Sequence, residues 1–305
     1  MGNVGNMTIV VTGATGAIGR RLVDRLTAAG EMPRIASREP SKLRARWPDL
    51  HAVELDVLRP ATIGPALDGV STAYYLVHSM ESAAQGNFKQ RDAEGASLFG
   101  EAALDAGVKR VIYLGGLGDD DDDLSEHLES RHETGRILAG SGPPLLEFRA
   151  SMVVSAESAS FTMLTDLVKR LPAMVVPRWV DTPSQPIAID DVLSYLVAGL
   201  DTPLEPGRSI VEIGGPDVTS YRHMIETVAA ERGRDPLIVG VPLLSLSLSS
   251  LWVGLVTSVS PALARPLIEG MTTPMVVRGD EARRRFPDIV PMPFVEALRR
   301  ALAEA

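Results

Sequence analysis

Cysteine is absent from all 305 residues. That one absence excludes disulfides, thiolate metal sites and a cysteine nucleophile together, and it fits a reducing, cytoplasmic setting. A basic excess is missing too: 30 Lys and Arg stand against 39 Asp and Glu, a formal net charge of −9. Such a balance argues against nucleic acid or an anionic membrane surface as an electrostatic partner. The opening MGNVGN has no basic n-region and no apolar h-region, so residues 1–6 are expected to be a flexible leader, not a secretory signal. Metal-ligand spacing is also lacking. No His/carboxylate cluster has zinc geometry, and the carboxylates of Asp119–Asp123 lack the alternation of a calcium loop. Their mutual repulsion suits a solvated loop.

What remains is an ordinary globular composition, 45% hydrophobic and 23% charged. Over the first 150 residues, short β-branched runs alternate with amphipathic stretches. The runs are 7–13, 33–37, 51–55, 71–77, 110–115 and 145–150, with helical patterns clearest at 17–29 and 87–106. This rhythm predicts an α/β fold: a Rossmann doubly wound parallel sheet of six strands with right-handed crossovers. Fifteen of the 22 prolines follow residue 170, and the rhythm loosens there. Residues 7–155 are therefore expected to form a nucleotide-binding domain, and 156–305 mainly a smaller C-terminal substrate portion. Within the latter, 185–200 should return to the Rossmann core as a strand feeding a helix capped by Asp190 or Asp191. A second strand and helix are expected over 210–233, the helix starting at Thr219 or Ser220.

Residues 236–264 carry no charge, and Pro242 and Pro261 bracket eighteen of them, near the lower limit for a bilayer span. Six serines and a threonine weaken that reading, so a buried helix or pocket wall is expected ahead of membrane contact.

Directly after the first strand comes TGATGAIG, with Gly13, Gly16 and Gly19 opening an amphipathic helix. Gly13 permits a tight turn, Gly16 lets the main chain approach a diphosphate, and Gly19 lets the helix pack close to the sheet. Thr15, Ala17 and Ile18 complete a loop whose N–H groups and positive helix end suit phosphate. The second strand ends at Ser37-Arg38, with Lys42 beyond, where an NAD enzyme usually places an acid. A guanidinium there can take a 2′-phosphate, which points to NADP(H), with NAD(H) as the lesser choice because of Glu39. Arg38 as a merely solvated charge is the competing reading. Asp56 and Val57 follow the third strand, beside the expected adenine; Asp56 either meets the base or caps the next turn. Leu76 and His78 end the fourth strand at the expected nicotinamide crevice, His78 as a contact or as an ordinary turn residue. Arg149 and Ser151, at the end of the sixth strand, are candidates for the same cleft.

TGxxGxxG, the Arg after the second strand, VKRVIYL on the fifth and QPIAIDDV later resemble the atypical short-chain dehydrogenase/reductases. Within these the chain looks like the NmrA-like NAD(P)-binding group, a bacterial subgroup carrying YLGGLG. The resemblance covers about residues 7–230 and implies a nicotinamide cofactor more firmly than a reaction, since the group holds both enzymes and NADP-binding sensors. Its enzymes carry Tyr-x-x-x-Lys after the fifth strand and a hydroxyl at that strand's end. This chain has neither: no tyrosine is followed four residues on by lysine, and the strand ends Gly115-Gly116.

Counting back from the helix-ending GSGPP places His127 at the tyrosine position and Arg131 at the lysine position, on one helix face. Histidine can serve as acid, a guanidinium would favour its neutral form, and Arg131 could still hold a ribose. The plainer reading of SEHLESRHETGR is a solvated, self-balancing face, with His132 exposed. The function expected is an NADP(H)-dependent oxidoreductase acting on an apolar small molecule. The alternative is an NADP(H)-binding redox sensor or accessory protein without turnover.

Overall fold

The computed structural model describes residues 8–78, 88–119, 124–241, 253 and 256–305, the side chains of 261–263 excepted. The N-terminal half alternates as the sequence requires. Its strands are β1 (Ile9–Thr12), β2 (Arg34–Ser37), β3 (Ala52–Glu54), β4 (Thr72–Tyr75), β5 (Arg110–Gly116) and β6 (Leu145–Ala150). The helices between them are α1 (Ala17–Ala28), α2 (Pro40–Arg46), α3 (Pro60–Leu67), α4 (Phe88–Asp105) and α5 (Glu126–Ser141). All pairings in the central sheet are parallel, and its β1, β4, β5 and β6 positions are buried on both faces save Arg110, as helices on either side demand.

The sheet has seven strands, in the order β11-β6-β5-β4-β1-β2-β3. Six were expected; the seventh, β11 (Arg208–Ile213), comes from the part assigned to the substrate side. Its register runs along the whole of β6, from Arg208 opposite Leu145 to Ile213 opposite Ala150, so it covers an edge that would otherwise leave main-chain groups unpaired. Short β7 (Val153–Val154), α6 (Ala159–Arg170), β8 (Ala173–Pro177), β9 (Pro183–Ser184), β10 (Ile187–Ala188) and α7 (Ile189–Ala198) precede it. α7 packs on α1, and the Tyr74 hydroxyl donates to Leu196 O at 2.9 Å. Neither Asp190 nor Asp191 caps α7; the N-cap is Ala188. Both acids lie in the first turn, where they face the positive helix end, and Asp191 accepts from Met292 N at 2.8 Å.

After β11 come β12 (Thr219–Ser220), α8 (Tyr221–Glu231), β13 (Leu237–Val241), α9 (Pro261–Gly270), α10 (Glu281–Arg285) and α11 (Phe294–Glu304). Ser220 caps α8 by accepting from His223 N, as its position before the helical pattern predicts. A separate apolar core joins α6, β8, α8, α9 and α11 beside the sheet. Of the uncharged 236–264 segment, residues 242–252, 254 and 255 lie outside the described residues. Among the described residues, no helix is long and apolar enough to cross a membrane.

One polar cluster is buried in the sheet. Glu147, fully buried on β6, accepts from Arg149 Nε and from Arg208 Nε, each at 2.8 Å. Arg208 also donates to His132 O on α5 at 3.3 Å, so β6, its edge strand and α5 share one carboxylate. Gly135 makes room for it, since a Cβ there would stand 2.2 Å from Glu147 Oε2. Arg149 is consumed in this cluster and does not line the cleft, contrary to the sequence expectation. Glu147→Ala, which leaves two guanidinium groups without their carboxylate, is expected to cost about 3–5 kcal/mol in urea unfolding. Glu147→Gln should cost clearly less.

Candidate functional site

The chain leaves β1 through a constriction that only glycine tolerates. Thr12 is fully buried; its hydroxyl donates to Tyr74 O at 2.9 Å and accepts from Leu76 N at 3.1 Å, stitching β1 to β4. That contact sets Gly13 against Leu76, where a Cβ would be 2.5 Å from the Leu76 carbonyl oxygen, and Gly13 turns at φ +63°. At Gly19 a Cβ would lie 2.2 Å from Gly13 O. α1 therefore starts as close to the strand end as a helix can. Its N-cap is Gly16, and its first turn holds no acid to oppose an anion. These bare N–H groups fit a diphosphate.

In front of the loop lies a cavity of about 380 Å³ at the carboxyl ends of β1, β4, β5 and β6. Gly13, Gly16, Ala17, Ile18 and Gly19 floor one side, and Leu76 and His78 follow from β4. The first turns of α5 bring His127, Leu128 and Arg131 onto the opposite side, with Ser125 as N-cap. From the second half come Ser151, Tyr221 and Met271. Arg20 pairs with Glu157 at 2.8 Å, joining α1 to the segment before α6.

Comparison with known proteins agrees with this geometry. A family model described as NAD(P)H-binding matches residues 13–142. A Streptomyces griseus (4-alkanoyl-5-oxo-2,5-dihydrofuran-3-yl)methyl phosphate reductase is 26% identical over 227 residues, 74% of each chain. A ceramide reductase of Caulobacter vibrioides is 24% identical over 238 residues, 77% of this chain and 73% of its own. Among solved structures, an Escherichia coli NADPH-dependent quinone oxidoreductase complexed with NADPH superposes with TM-score 0.76 at 18% identity, covering 97% of this chain and 100% of its own. A Citrobacter sp. triphenylmethane reductase complexed with NADP(H) does so with TM-score 0.72 at 15% identity, covering 97% and 100%. These two share the fold. Residues 13–142 are an NAD(P)H-binding domain.

Not every residue singled out from the sequence reaches the cavity of this NAD(P)H-binding domain. Thr15 is exposed beside it. Ser37 and Arg38 end β2, and Asp56 and Val57 follow β3, on the same carboxyl edge of the sheet but outside the cavity. Ser37 Oγ accepts from Glu39 N at 3.1 Å, and the Glu39 carboxylate is held by Lys42 at 2.8 Å. Arg38 is exposed. Asp56 caps the next turn, accepting from Leu58 N at 3.1 Å. The Val57 side chain packs into the core at Gly95 of α4.

The strand-end glycines have a structural cause. A Cβ at Gly116 would stand 2.6 Å from Leu128 Cδ2, and one at Gly115 would stand 3.1 Å from Glu147 Oε1. A side chain at Gly116 would thus require Leu128 of α5 to move, and one at Gly115 would press on Glu147 of β6. Arg131 is held from beneath: its guanidinium donates to Leu114 O and stacks 5.1 Å from the centre of the Tyr113 ring. His132 is fully buried rather than exposed, with Nε2 3.0 Å from Gly116 O, because it lies on the side of α5 turned to the end of β5. Sequence reasoning also missed Tyr221 and Met271, which carry no motif and enter the cleft only through the tertiary fold.

His127 and His78 share the field of Arg131. Burial, then the Arg131 charge, then His78 push His127 down to about 3. Burial and Arg131 push His78, which lines the same cavity, down to about 4. Both rings are neutral at pH 7. Tyr221 is driven the other way, up to about 12 by burial, against a lowering hydrogen bond with Ser184, so it remains a phenol. Because both folded-state histidine values lie below the unfolded value of 6.5, the unfolded chain binds more protons as pH falls. The histidine contribution is therefore expected to lower stability progressively from about pH 6.5 toward pH 4. In urea titrations, His127→Gln should flatten that part of the pH dependence relative to the parent.

Proposed function

We propose that the chain is an NADPH-dependent reductase of a small molecule with an electrophilic carbonyl or conjugated carbonyl group and an apolar body. The observation that carries this is the meeting, across one cavity, of a glycine-cradled helix N-terminus with a neutral His127 and an apolar patch of Leu267, Met271 and Met275 from the second half. Both curated relatives are named as reductases, one of an alkanoyl-bearing furan and one of ceramide. The absence of cysteine supports a cytoplasmic setting.

Gly13, Gly16 and Gly19 would admit the diphosphate, and Arg38 the 2′-phosphate. Arg38 suits that role because it makes no hydrogen bond or ion pair among the described residues, whereas Lys42 is already paired with Glu39. The bound dinucleotide would supply the hydride. Since His127 titrates near 3, it serves as a neutral N–H donor to the substrate oxygen rather than as a charged acid. Arg131, fixed on Leu114 O and the Tyr113 ring, keeps the imidazole neutral and its ring side electropositive.

One observation favours the sensor reading, in which NADP(H) binds without turnover. The arginine at the lysine position is already bonded to the protein, so it is less free to hold a ribose.

Two variants test these roles. His127→Phe should lower kcat about 10²–10³-fold while leaving the NADPH Kd within twofold, and His127→Gln should recover part of the loss. Full turnover in His127→Phe removes His127 from the reaction. No NADPH oxidation by the parent with any quinone, enone or aldehyde favours the sensor. Arg38→Ala should lose about tenfold or more of the preference for NADPH over NADH, measured by titration, as expected for a lost charge-assisted contact.

A further inference from the structure

Beside the cofactor cleft is a second cavity, and the two share walls. It measures about 360 Å³ and lies between α6, β8, α8 and α9. Met163 and Leu164 come from α6, Val176 from β8, Ile225 from α8 and Ile268 from α9. Every lining side chain is apolar apart from Tyr221 and Trp179, whose indole N–H has no hydrogen-bond partner among the described residues. Nothing charged reaches it. Tyr221 and Met271 line both this cavity and the cofactor cleft, so the two adjoin at these side chains and a molecule reacting beside His127 would enter the second cavity past them.

We infer that this second cavity is the site for an unbranched alkyl or acyl chain carried by the substrate, with Tyr221 and Met271 at the junction between chain and reacting group. The inference rests on the reductase reading for the other end of the molecule, but chain binding itself needs no turnover. The chemistry of the wall selects the occupant. A pocket whose lining is apolar but for Tyr221 and the unpartnered indole N–H of Trp179 penalises phosphates and sugars and rewards methylenes. At roughly 30 Å³ for a water-sized group, the cavity's 360 Å³ holds about a dozen. Three of its walls, Met163, Met174 and Met271, are methionines, whose unbranched side chains adapt to a flexible guest. The far end is less closed: Val175 is 52% exposed while still lining the cavity, so chains that outgrow it can emerge past β8.

The test uses n-alkanols from hexanol to dodecanol, which nothing in the reaction consumes, titrated into the whole protein and followed by tryptophan fluorescence, with Trp179 as the reporter in the wall. Affinity is expected to rise about threefold to fourfold per added methylene. It should then level off near twelve carbons. Ile225→Phe, which fills the cavity without touching the cofactor cleft, should weaken dodecanol binding at least tenfold and leave the NADPH Kd within twofold. Equal affinity across the series, or dodecanol binding undiminished in Ile225→Phe that still binds NADPH, overturns the proposal. If that variant fails to fold, the length series on the parent protein decides alone. Alkanol binding that follows chain length in a protein without turnover keeps the chain site and removes only the reductase reading. Turnover of short carbonyl compounds with no length dependence does the reverse.

Discussion

The cofactor half of this protein is organised around one steric contact: the main chain at Gly13 is wedged between the Leu76 carbonyl and Gly19 of α1. Thr12 fixes the first side of the wedge by bonding to both Tyr74 and Leu76. The absent side chain at Gly19 lets α1 close the second. With the helix start pinned there, its N–H groups point into the space at the carboxyl ends of the strands, where β4 and β5 deliver His78 and the Gly115-Gly116 main chain. A methyl group at either glycine would push the helix away from the strand and displace the N–H groups that a diphosphate requires.

A similar closeness accounts for what the chain lacks. The enzymes it resembles place a hydroxyl at the end of the fifth strand, but here Leu128 occupies the space a side chain at Gly116 would need. α5 is drawn in by Arg131 on Leu114 O, by His132 at Gly116 O and by the bond from Arg208 to His132 O. The tyrosine and lysine positions are thereby replaced by a histidine that burial keeps uncharged and an arginine whose guanidinium is already engaged. In the proposed reductase, chemistry at this cleft would rely on fixed dipoles and a neutral donor more than on a titrating acid.

Glu147 links the two halves. Its carboxylate gathers Arg149 of its own strand and Arg208 of the added seventh strand, so β11 is bound to the sheet by an ion cluster as well as by its ladder. Because the chain from β7 to α7 runs between β6 and β11, holding β11 in place also holds the elements that carry Ser151 and the walls of the apolar cavity. The second half is thus suspended from the central sheet through β11.

How much of this was legible beforehand follows from the range of each interaction. The glycine loop, the six-strand rhythm, Arg38 at the end of β2 and the Ser220 cap depend on neighbours a few residues away, and the sequence alone determined them. It also put His127 and Arg131 on one helix face, since their spacing requires it. The burial of His132, the loss of Arg149 to Glu147, the recruitment of β11 to the sheet and the entry of Tyr221 and Met271 into the cleft were decided only in three dimensions. Each depends on partners separated by many residues: His132 on Gly116, Arg208 on Glu147, Tyr221 on the apolar core of the second half. Local pattern carries no record of such a partner, because burial and pairing belong to the packed chain and not to the segment.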